Sequence, residues 1–84
     1  MKQAGKAFVE IDVHNMNRTQ AIAAVDAAIK RAGSGTYRIT VIHGYNSGTV
    51  LRDAIRAHCR SHPLVKRVEI GLNQGQTDLI MREL

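Results

Sequence analysis

Val9-Glu10-Ile11-Asp12-Val13-His14 alternates apolar and polar side chains over six residues and closes on a histidine. A period of two predicts a half-buried strand, with Val9, Ile11 and Val13 on the core face and Phe8, Glu10, Asp12 and His14 opposite. The same ending recurs in Arg38-Ile39-Thr40-Val41-Ile42-His43, where Ile39 and Val41 face the core and Arg38 and Thr40 face away. Two strands joined by a helix are expected to lie parallel and adjacent, which brings both histidines to one edge of the sheet. In open α/β sheets, ligands bind at that edge, beyond the carboxyl ends of the strands.

Between these strands, Asn15 to Thr19 is polar, and Asn17 or Thr19 supplies a helix cap. The helix then runs to about Ala32, with Ile22, Val25, Ile29 and Ala32 at helical spacing, and Gly33-Ser34-Gly35 stops it. A second helix is expected from about Gly48 or Thr49 to Ser61, on an apolar stripe of Leu51, Ala54, Ile55, His58 and Cys59, with Pro63 ending it. Lys66 to Gly71 reads as a third strand burying Val68 and Ile70. Asn73-Gln74-Gly75-Gln76 reads as a hairpin turn, and Thr77 to Leu84 as a fourth strand antiparallel to the third. The order is β-α-β-α-β-β: an α/β two-layer sandwich, a four-stranded mixed sheet with both helices on one face. The other face carries Glu10, Asp12, Arg38, Thr40, Arg67, Glu69, and either Asp78 with Arg82 or their neighbours. Mixed charge of this kind is what a bare sheet presents to water. Residues 1–7 are expected to be a flexible N-terminus and 8–84 a single domain.

Eighty-four residues suffice for one modest core, and a hydrophobic fraction of 44% fits a folded chain. No apolar run approaches the roughly 20 residues of a spanning helix, and the basic N-terminus has no apolar stretch of signal-peptide length behind it. The lone cysteine, Cys59, cannot form an internal disulfide, which fits a reducing cytoplasm and excludes zinc sites built on cysteine pairs. A net charge of +5 favours polyanionic partners.

Three groups of residues carry candidate chemistry. Asp12 and His14 lie two apart on a strand and share a face; with His43 they can orient a general base or ligate a divalent metal ion. The competing reading is structural, with histidines that fix the turns by bonding to loop backbone. His43-Gly44-Tyr45-Asn46-Ser47-Gly48-Thr49 reads as an anion-binding turn: its glycines permit close backbone approach, and Ser47 or Thr49 caps a helix whose first amides point at an anion. The lysine and spacing of a Walker loop are absent, and an ordinary strand-to-helix connection has similar composition. Arg52, Arg56 and Arg60, at i, i+4 and i+8, form a basic ridge suited to a polyanion or simply to water. Tyr45 is the aromatic placed to stack on a base.

These residues match a family pattern. Ile11-Asp12-Val13-His14 resembles the leucine-aspartate-leucine-histidine-glycine signature of the Smr (small MutS-related) domain. His43-Gly44-Tyr45-Asn46-Ser47-Gly48 with Leu51-Arg52 resembles its histidine-glycine-x-glycine signature and the leucine-arginine pair downstream. Gly71-Leu72-Asn73-Gln74-Gly75-Gln76-Thr77 resembles the turn before its closing strand, so the likeness runs from about Phe8 to Leu84. Asn15 and Asn46 stand where the signatures have glycine, Gln20 stands where an acidic residue often precedes Ala21, and Leu51-Arg52 falls about one residue late.

The resemblance implies an Smr-type fold related to the C-terminal domain of translation initiation factor three; in that family the domain often ends longer proteins, whereas here a stand-alone form is expected. The resemblance also implies a function in binding, nicking or cleaving DNA or RNA. Carried over by position, it points to Asp12, His14, His43, Gly44, Gly48 and Arg52. The expectation is a cytoplasmic nucleic-acid-binding domain with endonuclease activity, with Asp12, His14 and His43 catalytic. Gly44, Tyr45, Asn46, Ser47, Gly48, Thr49, Arg52 and Arg56 would hold phosphate. A divalent metal ion is the candidate cofactor, although no dedicated metal-ligand set is assigned. The alternative is a non-catalytic module that docks on nucleic acid or protein.

Overall fold

A computed structural model describes residues 7–32, 35–44 and 50–82. Its elements follow the expected order: β1 (Phe8–Asp12), α1 (Arg18–Arg31), β2 (Arg38–Ile42), α2 (Val50–Arg60), β3 (Arg67–Ile70) and β4 (Gln76–Ile80). The spatial order is β1-β2-β4-β3. β1 and β2 are parallel with Val9 opposite Ile39 and Ile11 opposite Val41. β4 lies antiparallel to both β2 and β3 and fills the place between them.

Alternation sorts the strand residues between two faces. Ile39, Val41, Thr77 and Leu79 are fully buried, and Val9, Ile11 and Val68 pack on the same core. α1 supplies Ala21, Val25 and Ile29 to that core, and α2 supplies Ile55 and Cys59. Both helices therefore cover one face, and the other is left open. Burial raises the Cys59 thiol pKa to about 12, which makes it an inert part of the core. His58, expected on the apolar stripe of α2, instead reaches across to Asp26 of α1 (2.8 Å).

Local chemistry sets the element ends. Asn17 caps α1 by accepting from the Gln20 amide, while the Gln20 side chain accepts from the Asn17 amide; together they form a capping box. The β3–β4 turn closes with the Gln76 amide donating to Asn73 O (3.1 Å) and the Gly75 amide to Asn73 Oδ1 (2.8 Å). A side chain at Gly71 would place its Cβ 2.7 Å from that of Gln76, so glycine is required where the two strands converge.

Two expectations are corrected. β4 ends at Ile80 rather than Leu84, because its partner strands are only five and four residues long and the ladders end with them. Ile70 is 61% exposed, not buried, because it ends an edge strand. The expected start of α2 at Gly48 or Thr49, and residues 83 and 84, lie outside the described residues.

Candidate nucleic-acid site at the carboxyl edge of the sheet

The parallel pair β1–β2 brings its two carboxyl ends together. Beyond the strands the pairing continues, with the Val13 amide donating to Ile42 O (2.9 Å). Gly44 has φ +74, a conformation that glycine adopts without strain, and a Cβ there would lie 3.4 Å from the Cβ of His14. The first motif's histidine thus sits directly against the second motif's glycine. The β3–β4 turn docks on the same edge, where Gly75 O accepts from the amides of both His43 (2.9 Å) and Gly44 (3.0 Å).

The two histidines occupy different environments. Alternation places Asp12 on the open face with Glu10, and His14 bonds back to it twice. Its Nδ1 meets Asp12 Oδ1 in a short contact, and its amide donates to the same oxygen (3.1 Å). These bonds, the side-chain one first, hold the Asp12 carboxyl below its usual pKa. A carboxylate only accepts, so Nδ1 of His14 carries the shared proton and Nε2 is left to act on another molecule. Both side chains are about half exposed, at 49% and 52%. The pair is therefore accessible and oriented, an arrangement suited to a general base.

His43 follows the alternation of Ile39 and Val41 and points into the helix-covered side, where it is 2% exposed. Its Nδ1 donates to the Gly44 carbonyl (2.9 Å). Its Nε2 lies 2.8 Å from Thr77 Oγ1, and that hydroxyl also accepts from Arg56 Nε (2.8 Å). Because the carbonyl can only accept, the proton sits on Nδ1, Nε2 accepts from the Thr77 hydroxyl, and the ring is neutral. Burial first, and the nearby guanidinium groups of Arg56 and Arg52 with it, push the His43 pKa down, against the smaller opposing pull of the Gly44 carbonyl. His43, Thr77 and Arg56 thus form a buried relay that fixes the edge from beneath.

Of the expected basic ridge, Arg56 turns inward to Thr77, and its Nη2 is buried with no hydrogen-bond partner among the described residues. Burial lowers its pKa from the ordinary value. Arg52 lies over Asp53 (3.1 Å), and Arg60 is exposed. Tyr45, Asn46, Ser47, Gly48 and Thr49 lie outside the described residues. Among the described residues no three His, Cys, Asp or Glu side chains are placed to hold a metal ion; Asp12, His14 and His43 do not converge as ligands, since both His43 nitrogens are engaged within the fold. Among those residues, too, no helix is long and apolar enough to cross a membrane.

Sequence reasoning singled out Asp12, His14, His43 and Gly44, which the fold brings to one edge. It places Thr77 at the start of the last strand and Gly75 in the hairpin turn, and assigns neither to the site. A threonine at an inward strand position, where an aliphatic residue would be expected, was the available signal for the first.

The neutral, buried His43 has a consequence for stability. Its folded pKa lies below the ordinary histidine value of 6.5, so below that value the unfolded chain binds the proton first. The stabilisation is fully present above about pH 6.5 and is lost as pH falls from there toward the folded value. Urea midpoints should fall between pH 7.5 and 5.5, and His43→Gln should flatten that slope. An equal slope in the variant would assign the effect to other groups.

Comparison with known proteins points the same way. The Smr domain family model matches residues 11–77. Endonuclease MutS2 of Caldicellulosiruptor saccharolyticus is 38% identical over 78 residues, which are 90% of this chain and 10% of that protein. Endonuclease MutS2 of Clostridium botulinum is 32% identical over 81 residues, 94% of this chain and again 10% of the relative. The chain thus spans about a tenth of the length of these curated relatives. The crystal structure of the Smr domain of Thermus thermophilus MutS2 matches with a TM-score of 0.80 at 25% identity, covering 89% of this chain and 99% of that one.

Proposed function

The chain belongs to the Smr domain family, and from that premise we propose that it binds nucleic acid at the carboxyl edge of its sheet and cleaves a phosphodiester there. The observation that carries this reading is the Asp12–His14 pair, half exposed at the end of β1 against Gly44. Its relatives named as endonucleases supply the reaction class. His14 Nε2 takes the proton of the attacking group, either water or a ribose 2′-hydroxyl. The Asp12 carboxylate holds the imidazole in that tautomer and stabilises the imidazolium as it forms. Arg52 and the segment Gly44 to Thr49 are assigned to the phosphate, whose developing charge needs cationic and amide partners. Arg56 and His43 support that edge from inside. The two donors Asp12 and His14 are bonded to each other and do not make a metal-ligand set, so no step is drawn through a divalent ion.

The test is cleavage of supercoiled plasmid and of a structured RNA by the wild type and Asp12→Ala, with affinity followed alongside. Cleavage should fall at least tenfold in the variant, while binding persists and weakens steeply with added salt. Arg52→Gln should reduce the slope of log affinity against log salt by about 1. Cleavage that survives Asp12→Ala would overturn the site. Binding without cleavage in the wild type would favour the non-catalytic module.

A further inference from the structure

Charge is divided between the two layers. The helices carry six cationic side chains and two carboxylates, whereas the strands carry two and four. The four strand carboxylates, Glu10, Asp12, Glu69 and Asp78, all alternate onto the open face, opposite in sense to the core positions Val9, Ile11, Val68 and Leu79. The strand arginines Arg38 and Arg67 share this face, Arg67 bonded to Glu69 and Asp12 to His14. Four carboxylates against two guanidinium groups still leave the sheet side more acidic than the helix side of a protein of net charge +5.

This face has further features that plain solvation does not require. Glu10, Thr40, Asp78 and Glu69 stand in register straight across all four strands. Asp78 and Glu69 are direct cross-strand partners of like charge; Arg67 bonds Glu69 (2.5 Å), while Asp78 accepts from the Thr40 hydroxyl (2.8 Å) and has no cationic partner among the described residues. Beside this row lies a cleft of about 180 Å³ lined by Glu10, Arg38, Thr40, Leu72, Gln76 and Asp78. That volume is below the roughly 300–1,000 Å³ of small-molecule sites, so the cleft suits one side chain and not a cofactor. Apolar groups flank it: Leu72 is 95% exposed and Phe8 62%, with Arg38 stacked on the Phe8 ring at 4.8 Å.

We infer that the open sheet face is a docking surface for a basic protein segment, an extended peptide with lysine or arginine interspersed with apolar residues. A cationic side chain enters the cleft between Glu10 and Asp78, and an apolar neighbour covers Leu72 or Phe8. The warrant is charge complementarity at the cleft. Arg38 is stacked on Phe8 and Arg67 is bonded to Glu69, whereas among the described residues Glu10 and Asp78 make no ion pair, so a cationic side chain of a partner is matched there. This face and the carboxyl edge can be occupied together.

The probe is a fluorescein-labelled twelve-residue peptide of alternating lysine and leucine, with an alternating glutamate and leucine peptide as control, titrated into the full chain at low salt. The basic peptide should shift backbone amides of β1, β2 and β4. Glu10→Gln with Asp78→Asn should weaken it at least tenfold, and Leu72→Ser severalfold, while nucleic-acid affinity stays level or rises. Neither Glu10 nor Asp78 belongs to the proposed cleavage site, so a loss here leaves that reading intact. Unchanged peptide affinity in the double variant, equal binding of the acidic peptide, or shifts confined to the helices would overturn the inference. So would single-stranded nucleic acid shifting this face, or a second copy of the chain covering it in sedimentation equilibrium.

Discussion

Replacing Ile39 with alanine should destabilise the domain by about 2–5 kcal/mol, the range for truncating a buried aliphatic side chain. Ile39 is fully buried at the centre of β2. It stands between Val9 of β1 and Leu79 of β4 in one cross-strand row, and Val25, Ile29 and Ile55 belong to the same core. Two strands and both helices would have to move to refill the space, and the two ladders that hold β2 prevent the strand from sinking into it. The total stability of a domain this size is about 5–15 kcal/mol, so one substitution removes a large share. Urea denaturation should show the midpoint shifted and the slope unchanged. A loss below about 1 kcal/mol, the scale of a minor packing change, would mean that the layers repack and that the core is less unified than described.

The second large effect separates the two histidines. His14→Ala should lower phosphodiester cleavage by about 10²- to 10⁴-fold, the usual contribution of a positioned general base, and leave the melting transition nearly unmoved, because the side chain is half exposed. His43→Ala should do the reverse. It removes the acceptor of the Thr77 hydroxyl and the donor to the Gly44 carbonyl, leaving buried polar groups unpaired at about 1–3 kcal/mol each. Any loss of cleavage should then track the folded fraction and recover when the protein is stabilised by osmolyte. Thr77→Val should resemble His43→Ala in this. A His43→Ala protein that is fully folded yet inactive would return His43 to the chemistry itself.

The sequence reveals much of this architecture because several signals agree. Alternation in β1 and β2, the capping residues around Asn17 and Gln20, and the turn at Asn73 to Gln76 each have a local physical cause, and each lies within a few residues of its effect. Sheet order is a different matter. Nothing local tells β4 to enter between β2 and β3, since that choice depends on which long-range pairing buries Leu79 and Thr77. The two histidines show the same limit. Both end a strand in a similar pattern, and the alternation of their own strands puts them on opposite faces. What makes one a candidate base and the other a buried anchor is a threonine and an arginine distant in sequence, Thr77 and Arg56.

The placement of β4 also bears on how the chain reaches this fold. Arg38 of β2 pairs with Ile80 and Ile42 with Gln76, so the centre of the sheet is made by the last strand in chain order. Until residues 76–80 are in place, β3 has no hydrogen-bonded neighbour and β2 has only β1. A chain emerging from its N-terminus can form the first strand–helix–strand unit, but the free edge of β2 waits for a strand that begins only at Gln76. Distant pairing of this kind is slow, because the intervening loop must close before any contact rewards it. The sheet is therefore expected to close from its middle in a single late event, in place of growing strand by strand from one edge.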